Sequence, residues 1–278
     1  MILAAVMLLT AVPAVCSAEA QAKAAKNDAY YNNYSNHMIE FGLKLRTDHK
    51  RPVCDKPKGI KLRNFKTYYY DRKAYKKKKK VIYLTFDCGY ENGNTKYILR
   101  TLKRNKIKAI FFVTEPYIKA NPKLVKRMKR EGHLVGNHTC THPRMTTLSV
   151  SKMKREVRRC AATMKKKTGY EMDPYFRPPE GVYSVRVMKV MQDMGYSTML
   201  WSLALYDYNV NDQPSVKQVV SIFRKHHFCG MMPLLHVISS ADRKALPYII
   251  KSMKKRGYRF GTVDSFTKKK SKQKKKAK

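Results

Sequence analysis

The feature that most constrains the fold is an alternation. From Val81 onward, short apolar runs alternate with stretches whose apolar residues recur at helical spacing. The stretch Val81 to Gly93, VIYLTFDCGYENG, is the clearest case. Val81, Ile82, Tyr83 and Phe86 read as one buried strand that ends on Asp87, and Gly89 and Gly93 turn the chain away. Residues 94–106 follow with helical spacing, then a strand at Ala109 to Val113, a helix at Pro122 to Arg130 and a strand at His133 to Val135. Ser149 to Lys167 reads as a helix closed by Gly169, Tyr175 and Phe176 as a strand, and Ser184 to Met194 as a helix closed by Gly195. A strand at Tyr196 to Trp201, a helix at Gln213 to His226 with Pro214 in its first turn, and a strand at Met231 to Leu235 come next. A helix at Asp242 to Arg256 and a strand at Tyr258 to Val263 complete the pattern.

Strands that alternate with helices of this length predict parallel βαβ units. Six or seven units in about 185 residues suffice to close a small barrel and are too few for a regular eightfold one. Parallel sheets gather the carboxyl ends of their strands on one face, and it is there that the polar residues fall. Asp87, His138, Arg177, Asp207 and His236 each follow a predicted strand.

Taken singly, these residues leave alternatives open. His138 and His142 are four apart, so a helical turn would bring both rings to one side as a ligand pair for a divalent metal. Asp87 suits a metal ligand, a general base or a turn cap. Arg177 suits a structural ion pair or the group that keeps Asp87 ionised. His236 suits a satisfied core histidine or a proton donor, with Asp207 as its partner.

The 278 residues carry 60 Lys and Arg against 19 Asp and Glu, a formal charge of +41. Such an excess fits solvated lysine-rich surfaces or a polyanionic partner. No zinc-finger, aromatic-basic or basic-zipper pattern supports nucleic acid, which is not expected as a partner. Met1 to Ala20 reads as a secretory signal peptide with Ala18-Glu19-Ala20 as cleavage site, which predicts a secreted, extracytoplasmic protein. Of six cysteines, Cys16 falls in that leader. Cys54, Cys88, Cys140, Cys160 and Cys229 are odd in number and irregular in spacing, which is not a disulfide framework. Residues 21–80 read as an irregular N-terminal extension ending in the charge run Lys76 to Lys80, residues 81–266 as the main domain, and residues 267–278 as a disordered basic tail.

The motifs TFDCGY, HTCTH, RPPEG, WSLALYD and LLH, in that order from Val81 to Phe266, resemble the five motifs of the polysaccharide deacetylase family, the NodB-homology domain of carbohydrate esterase family 4. TFDCGYENG, GNHTCTHP, RPPEGVYS and LLHVIS are similar to the branch that removes acetyl groups from muramic acid in delta-lactam formation. The resemblance implies a distorted (β/α)7 barrel and metal-assisted removal of N-acetyl groups from peptidoglycan amino sugars, with spore cortex as the setting. It implies Asp87 as general base, His236 as general acid tuned by Asp207, and Arg177 as the residue that positions Asp87. His138 and His142 would hold a divalent metal, zinc foremost, with cobalt or manganese as alternatives. The Glu180 N–H would meet the oxyanion, and Trp201 and Leu234 would shape the acetyl pocket. The sequence departs from the family at Cys88, where most members carry an acid; a thiolate there would be a third metal ligand. Tyr208, where many relatives carry Trp, is another departure, and so is Cys140 between the histidines, which could pair with Cys88 on oxidation and silence the site. Peptidoglycan strands are the implied partner, with anionic wall polymer held by the basic surface. A chitin-like substrate and an inactive wall-binding homologue are the rival readings.

Overall fold

The computed structural model describes residues 28–268. The leader at 1–20 and most of the basic tail lie outside that range. The centre is a seven-stranded parallel sheet. In chain order its strands are β1 (Thr67–Tyr68), β2 (Thr85–Cys88), β3 (Ile110–Val113), β4 (Leu134–Asn137), β5 (Tyr175–Phe176), β6 (Ser197–Met199) and β7 (Leu234–His236). Their spatial order is β7-β2-β3-β4-β5-β6-β1. The sheet curls until residues just beyond β6 meet β7. Ser202 donates its N–H to the Met232 carbonyl at 2.8 Å, and Leu234 donates to the Leu203 carbonyl at 2.8 Å. These bonds tie the two sides into a distorted barrel of the (β/α)7 kind.

Helices cover the sheet because each carries one apolar stripe. Ile98, Leu99 and Leu102 of Thr95–Arg104, and Val125 and Met128 of Pro122–Arg130, are buried. The long helix Val150–Thr168 is capped by the Ser149 hydroxyl and stopped by Gly169 in the left-handed region. Both ends agree with the sequence pattern. Between the sheet and these helices Phe86 and Phe111 stack at 5.0 Å between ring centres. Burying a side chain of this class contributes about 1.5–3 kcal/mol.

Several expectations are corrected. The run Val81 to Phe86 is two strands, not one. Val81–Ile82 pairs with Arg259–Phe260 in a small separate sheet, and only Thr85–Cys88 joins the barrel. Helix Val216–His226 starts two residues beyond Pro214, because Ser215 and Gln218 form a reciprocal capping box. A helix at Glu115–Ala120, capped by Thr114, has no counterpart in the periodicity. The extension before Val81, expected to be irregular outside a packing segment near Ile39 to Leu45, also supplies a strand of the main sheet. Thr67–Tyr68 is an edge strand of the barrel sheet, and Ile39–Glu40 pairs with Val182–Tyr183. Asp71 caps the helix Arg72–Lys76 and accepts from the Tyr83 hydroxyl at 2.7 Å, so packing runs across the Lys76–Lys80 charge run without a break. Among the described residues no helix is long and apolar enough to cross a membrane.

Candidate active site

The register of the sheet sets the site. His236 lies directly opposite Asp87, and Asp87 opposite Phe112. Arg177 leaves the end of β5, donating its backbone N–H to the Asn137 carbonyl at 3.0 Å, and His138 follows β4 directly. These neighbouring strand ends open into a cavity of about 760 Å³. Asp87, His138, His142, Glu180, Trp201, Leu234 and His236 line it.

Arg177 is fully buried and its donors are committed. Nη1 bonds Asp87 Oδ1 at 2.7 Å, Nη2 bonds the Thr85 hydroxyl at 2.8 Å and the Leu200 carbonyl at 3.2 Å, and Nε bonds the Met199 carbonyl at 3.0 Å. The guanidinium lies 4.2 Å from the Phe112 ring centre. Gly136 makes room for that ring, since a Cβ there would stand 2.7 Å from it. Burial alone would raise the Asp87 carboxyl. The charges of Arg177, His138 and His236 outweigh it and hold the group below its ordinary value.

His138 and His142 do converge, but not through a helical turn. Thr139 and His142 have φ of 72° and 57°, both left-handed, and the loop folds back on itself. The Asn137 side chain accepts the Thr139 N–H, and the Thr139 hydroxyl accepts the His142 N–H. The rings meet edge to face, 4.8 Å between centres. His138 Nδ1 donates to the Arg177 carbonyl at 2.9 Å, which leaves Nε2 as the free nitrogen, 3.5 Å from Asp87 Oδ2. Burial pushes the His138 ring down to about 4 and lowers His142 as well, so both are neutral near pH 7.

His236 is set the opposite way. Burial would lower its pKa, but the Asp207 carboxylate, 2.8 Å from Nδ1, raises it. Asp207 is fully buried and also accepts the His236 backbone N–H at 3.0 Å. Nε2 of His236 is left for the cavity.

Trp201, Leu234 and Glu180, expected from the resemblance to meet the substrate, line this same cavity. Trp201 and Leu234 are buried in one apolar group with Phe41. Gly181 has φ of 71°, and a Cβ on it would lie 2.6 Å from the Trp201 ring. Glu180 has φ of 56° and sends its carboxylate outward to Arg144 Nε at 2.7 Å.

Two expectations about cysteine fail. Cys88 points away from the cavity, as alternation along β2 requires once Asp87 points in. Its thiol is fully buried in the main apolar core, and that burial together with Asp87 and Glu91 raises it well above its ordinary value, so it is no thiolate. Cys140 packs toward Glu115 and Arg159 instead of Cys88, and both thiols are free. Among the described residues no three His, Cys, Asp or Glu side chains converge at metal-binding spacing. His138 and His142 fit two positions of a divalent metal, each neutral and one oriented by its second nitrogen; Cys88 does not fit the third. Sequence reasoning assigned no role to Thr85, although it opens the TFDCGY motif, and missed Phe112 and Asp242, which lie outside the motifs; Thr85 and Phe112 touch Arg177, and Asp242 touches the His236 N–H.

Residues 74–199 match the family model described as polysaccharide deacetylase. The chain is 36% identical to the peptidoglycan-N-acetylmuramic acid deacetylase PdaA of Bacillus subtilis over 82% of this chain and 86% of that protein. The structure of that family 4 carbohydrate esterase superposes with a TM-score of 0.78 over 84% of this chain and 97% of PdaA. A peptidoglycan-N-acetylglucosamine deacetylase of Bacillus cereus is 34% identical over 66% of this chain and 86% of its own length. A family 4 pseudoenzyme from Bacillus anthracis, 25% identical, superposes with a TM-score of 0.65 over 73% of this chain and 69% of that one. With these motifs carried on this barrel, the chain belongs to the polysaccharide deacetylase family.

Proposed function

We propose that this chain is a secreted, metal-dependent hydrolase that removes N-acetyl groups from amino sugars of peptidoglycan, with N-acetylmuramic acid as the preferred sugar and delta-lactam formation of the spore-cortex type as its role. One observation carries the reading. An anionic Asp87 and a His236 held by Asp207 face one cavity from adjacent register positions, beside two neutral imidazoles. The names of the relatives supply the substrate class.

His138 and His142 would hold the metal, zinc foremost, and when bound it supplies polarisation of the acetyl carbonyl and a more acidic water. Asp87 takes the proton of the attacking water as the new C–O bond forms. Arg177 keeps that carboxylate ionised and fixes its direction. The Glu180 N–H meets the oxygen that gains charge at the carbonyl carbon. His236 then delivers its proton to the sugar nitrogen as the C–N bond breaks, releasing acetate and a free amine. Trp201 and Leu234 wall the acetyl methyl group. Because Asp87, His138 and His142 are lowered and His236 is raised, activity has an acidic limb below the ordinary histidine value and an alkaline limb above it.

The test is acetate release from peptidoglycan stripped of stem peptides, with Zn²⁺, Co²⁺ or Mn²⁺ supplied and metal content measured. About one metal per chain, with release lost in Asp87→Asn, supports the reading. Digest analysis that places the free amines on glucosamine residues instead would move the substrate to the other sugar, and release from a chitin-like polymer alone would move it further. The displaced Cys88 favours a second reading, an inactive wall-binding homologue, which no metal and no acetate would establish. The basic surface is proposed to hold anionic wall polymer.

A further inference from the structure

His236 sits beside a second carboxyl that the reaction above does not use. Asp242, in the first turn of the helix Ser240–Lys255, is 1% exposed. The Ser239 hydroxyl caps that helix by accepting the Asp242 N–H at 3.0 Å. An acid at this position ordinarily returns the bond by accepting the N-cap N–H. Here the Ser239 N–H is already given to the His236 carbonyl at 3.1 Å. The Asp242 carboxyl turns instead to the His236 N–H, which lies 3.2 Å from Asp242 Oδ2 and 3.0 Å from Asp207 Oδ2.

Two carboxyl groups thus converge on one N–H in a dry setting. Among the described residues no lysine or arginine forms an ion pair with either of them. One imidazolium balances one carboxylate and leaves a second buried negative charge without compensation, so the pair must share a proton. The donors decide which group holds it. Asp207 accepts both His236 Nδ1 and the His236 N–H, whereas Asp242 Oδ1 is buried with no hydrogen bond donated to it. A buried anionic oxygen without a donor is costly; a hydroxyl that itself donates is not.

We propose that Asp242 is a positioning residue for His236: a neutral acid that donates to Asp207, accepts from the His236 N–H, and so fixes the pair that directs the proton-bearing ring into the cavity. The titration directions agree. Burial and the neighbouring Asp207 raise Asp242 well above its ordinary value, while on Asp207 burial is outweighed by hydrogen bonds from Asp242 and His236. The charged groups that bear on His236 are Asp207, Asp87 and Arg177, with the Tyr208 ring 6.0 Å away; those that bear on Asp242 are Asp207 and His236. The catalytic half of this inference rests on His236 acting as general acid; the protonation half does not.

The experiment follows the His236 ring by NMR titration in the full chain, in Asp242→Asn and in Asp242→Ala, with acetate release measured alongside. An Asn amide donates and accepts as a neutral acid does. The His236 midpoint is expected to stay within a few tenths of a pH unit in Asp242→Asn. In Asp242→Ala it is expected to rise, because Asp207 then turns its whole charge on the ring. Acetate kcat is expected to fall about tenfold in Asp242→Ala with KM kept, through loss of alignment, and to be largely recovered by Asn. A midpoint that falls in Asp242→Asn would show an ionised Asp242 and overturn the proposal, and that variant alone decides if Asp242→Ala fails to fold. Absence of acetate release from the unaltered protein would defeat the deacetylase reading while leaving the titration result to stand.

Discussion

At the scale of the residue, the site works by setting neighbouring ionisable groups to opposite states. Arg177 is the main device, since its planar fork reaches a carboxylate, a hydroxyl and two carbonyls at once. Arg177→Lys keeps the charge and loses that geometry. Acetate kcat is expected to fall about a hundredfold with little change in KM. Arg177→Ala strands a buried carboxylate and is expected to cost about 3–5 kcal/mol in urea unfolding. His133 gives a pH effect away from the chemistry. Its Nδ1 accepts the Ala109 N–H at 3.1 Å and its Nε2 is buried without a partner, so burial and Lys108 push the ring down to about 4. The unfolded chain, with an ordinary value of 6.5, binds the extra proton between those limits. Stability therefore rises with pH from about 4 to 6.5 and falls on acidification, by up to about 1.4 kcal/mol per pH unit for this ring. His133→Gln should flatten that slope in denaturation curves measured across the window; an unchanged slope would assign it to other groups.

At the scale of the element, the two ends of the longest helix were written in the sequence and the ends of strands were not. Ser149 and Gly169 bracket the longest helix as local chemistry requires. Ser149→Ala is expected to cost about 1 kcal/mol in thermal unfolding. Gly169→Ala meets nothing within 4 Å, yet φ of 78° alone should cost about 1 kcal/mol. Gly136→Ala is a different case. Its Cβ would stand 2.7 Å from the Phe112 ring and 2.9 Å from the Tyr175 carbonyl, so the seat beneath Arg177 must move. Strand limits escaped the pattern because pairing partners set them. Tyr83 and Leu84 look like their neighbours, and only the separate attachment of Val81–Ile82 to Arg259–Phe260 breaks the run.

At the scale of the whole molecule, the segment before the catalytic motifs completes the barrel. Thr67–Tyr68 adds an edge strand, and Phe41 packs edge to face on Trp201 at 5.4 Å between centres. Phe41→Ala is expected to cost about 3–5 kcal/mol in urea unfolding and to raise KM, because it removes the backing of a cavity wall. A normal KM in a stably folded variant would detach that segment from the site. The alternation of the main strands and helices from Val81 onward, the caps at Ser149 and Gly169, and the strand-end placement of Asp87, His138, Arg177 and His236 were determined by the sequence itself. They depend on local periodicity and on the rule that parallel strands share one polar face. The direction of Cys88, the left-handed loop that joins His138 to His142, and the meeting of Asp242 with Asp207 were decided only by the tertiary structure. Each depends on partners distant in the chain, and no spacing along the sequence encodes which face of a strand a cavity will occupy or which carboxyl will be left holding a shared proton.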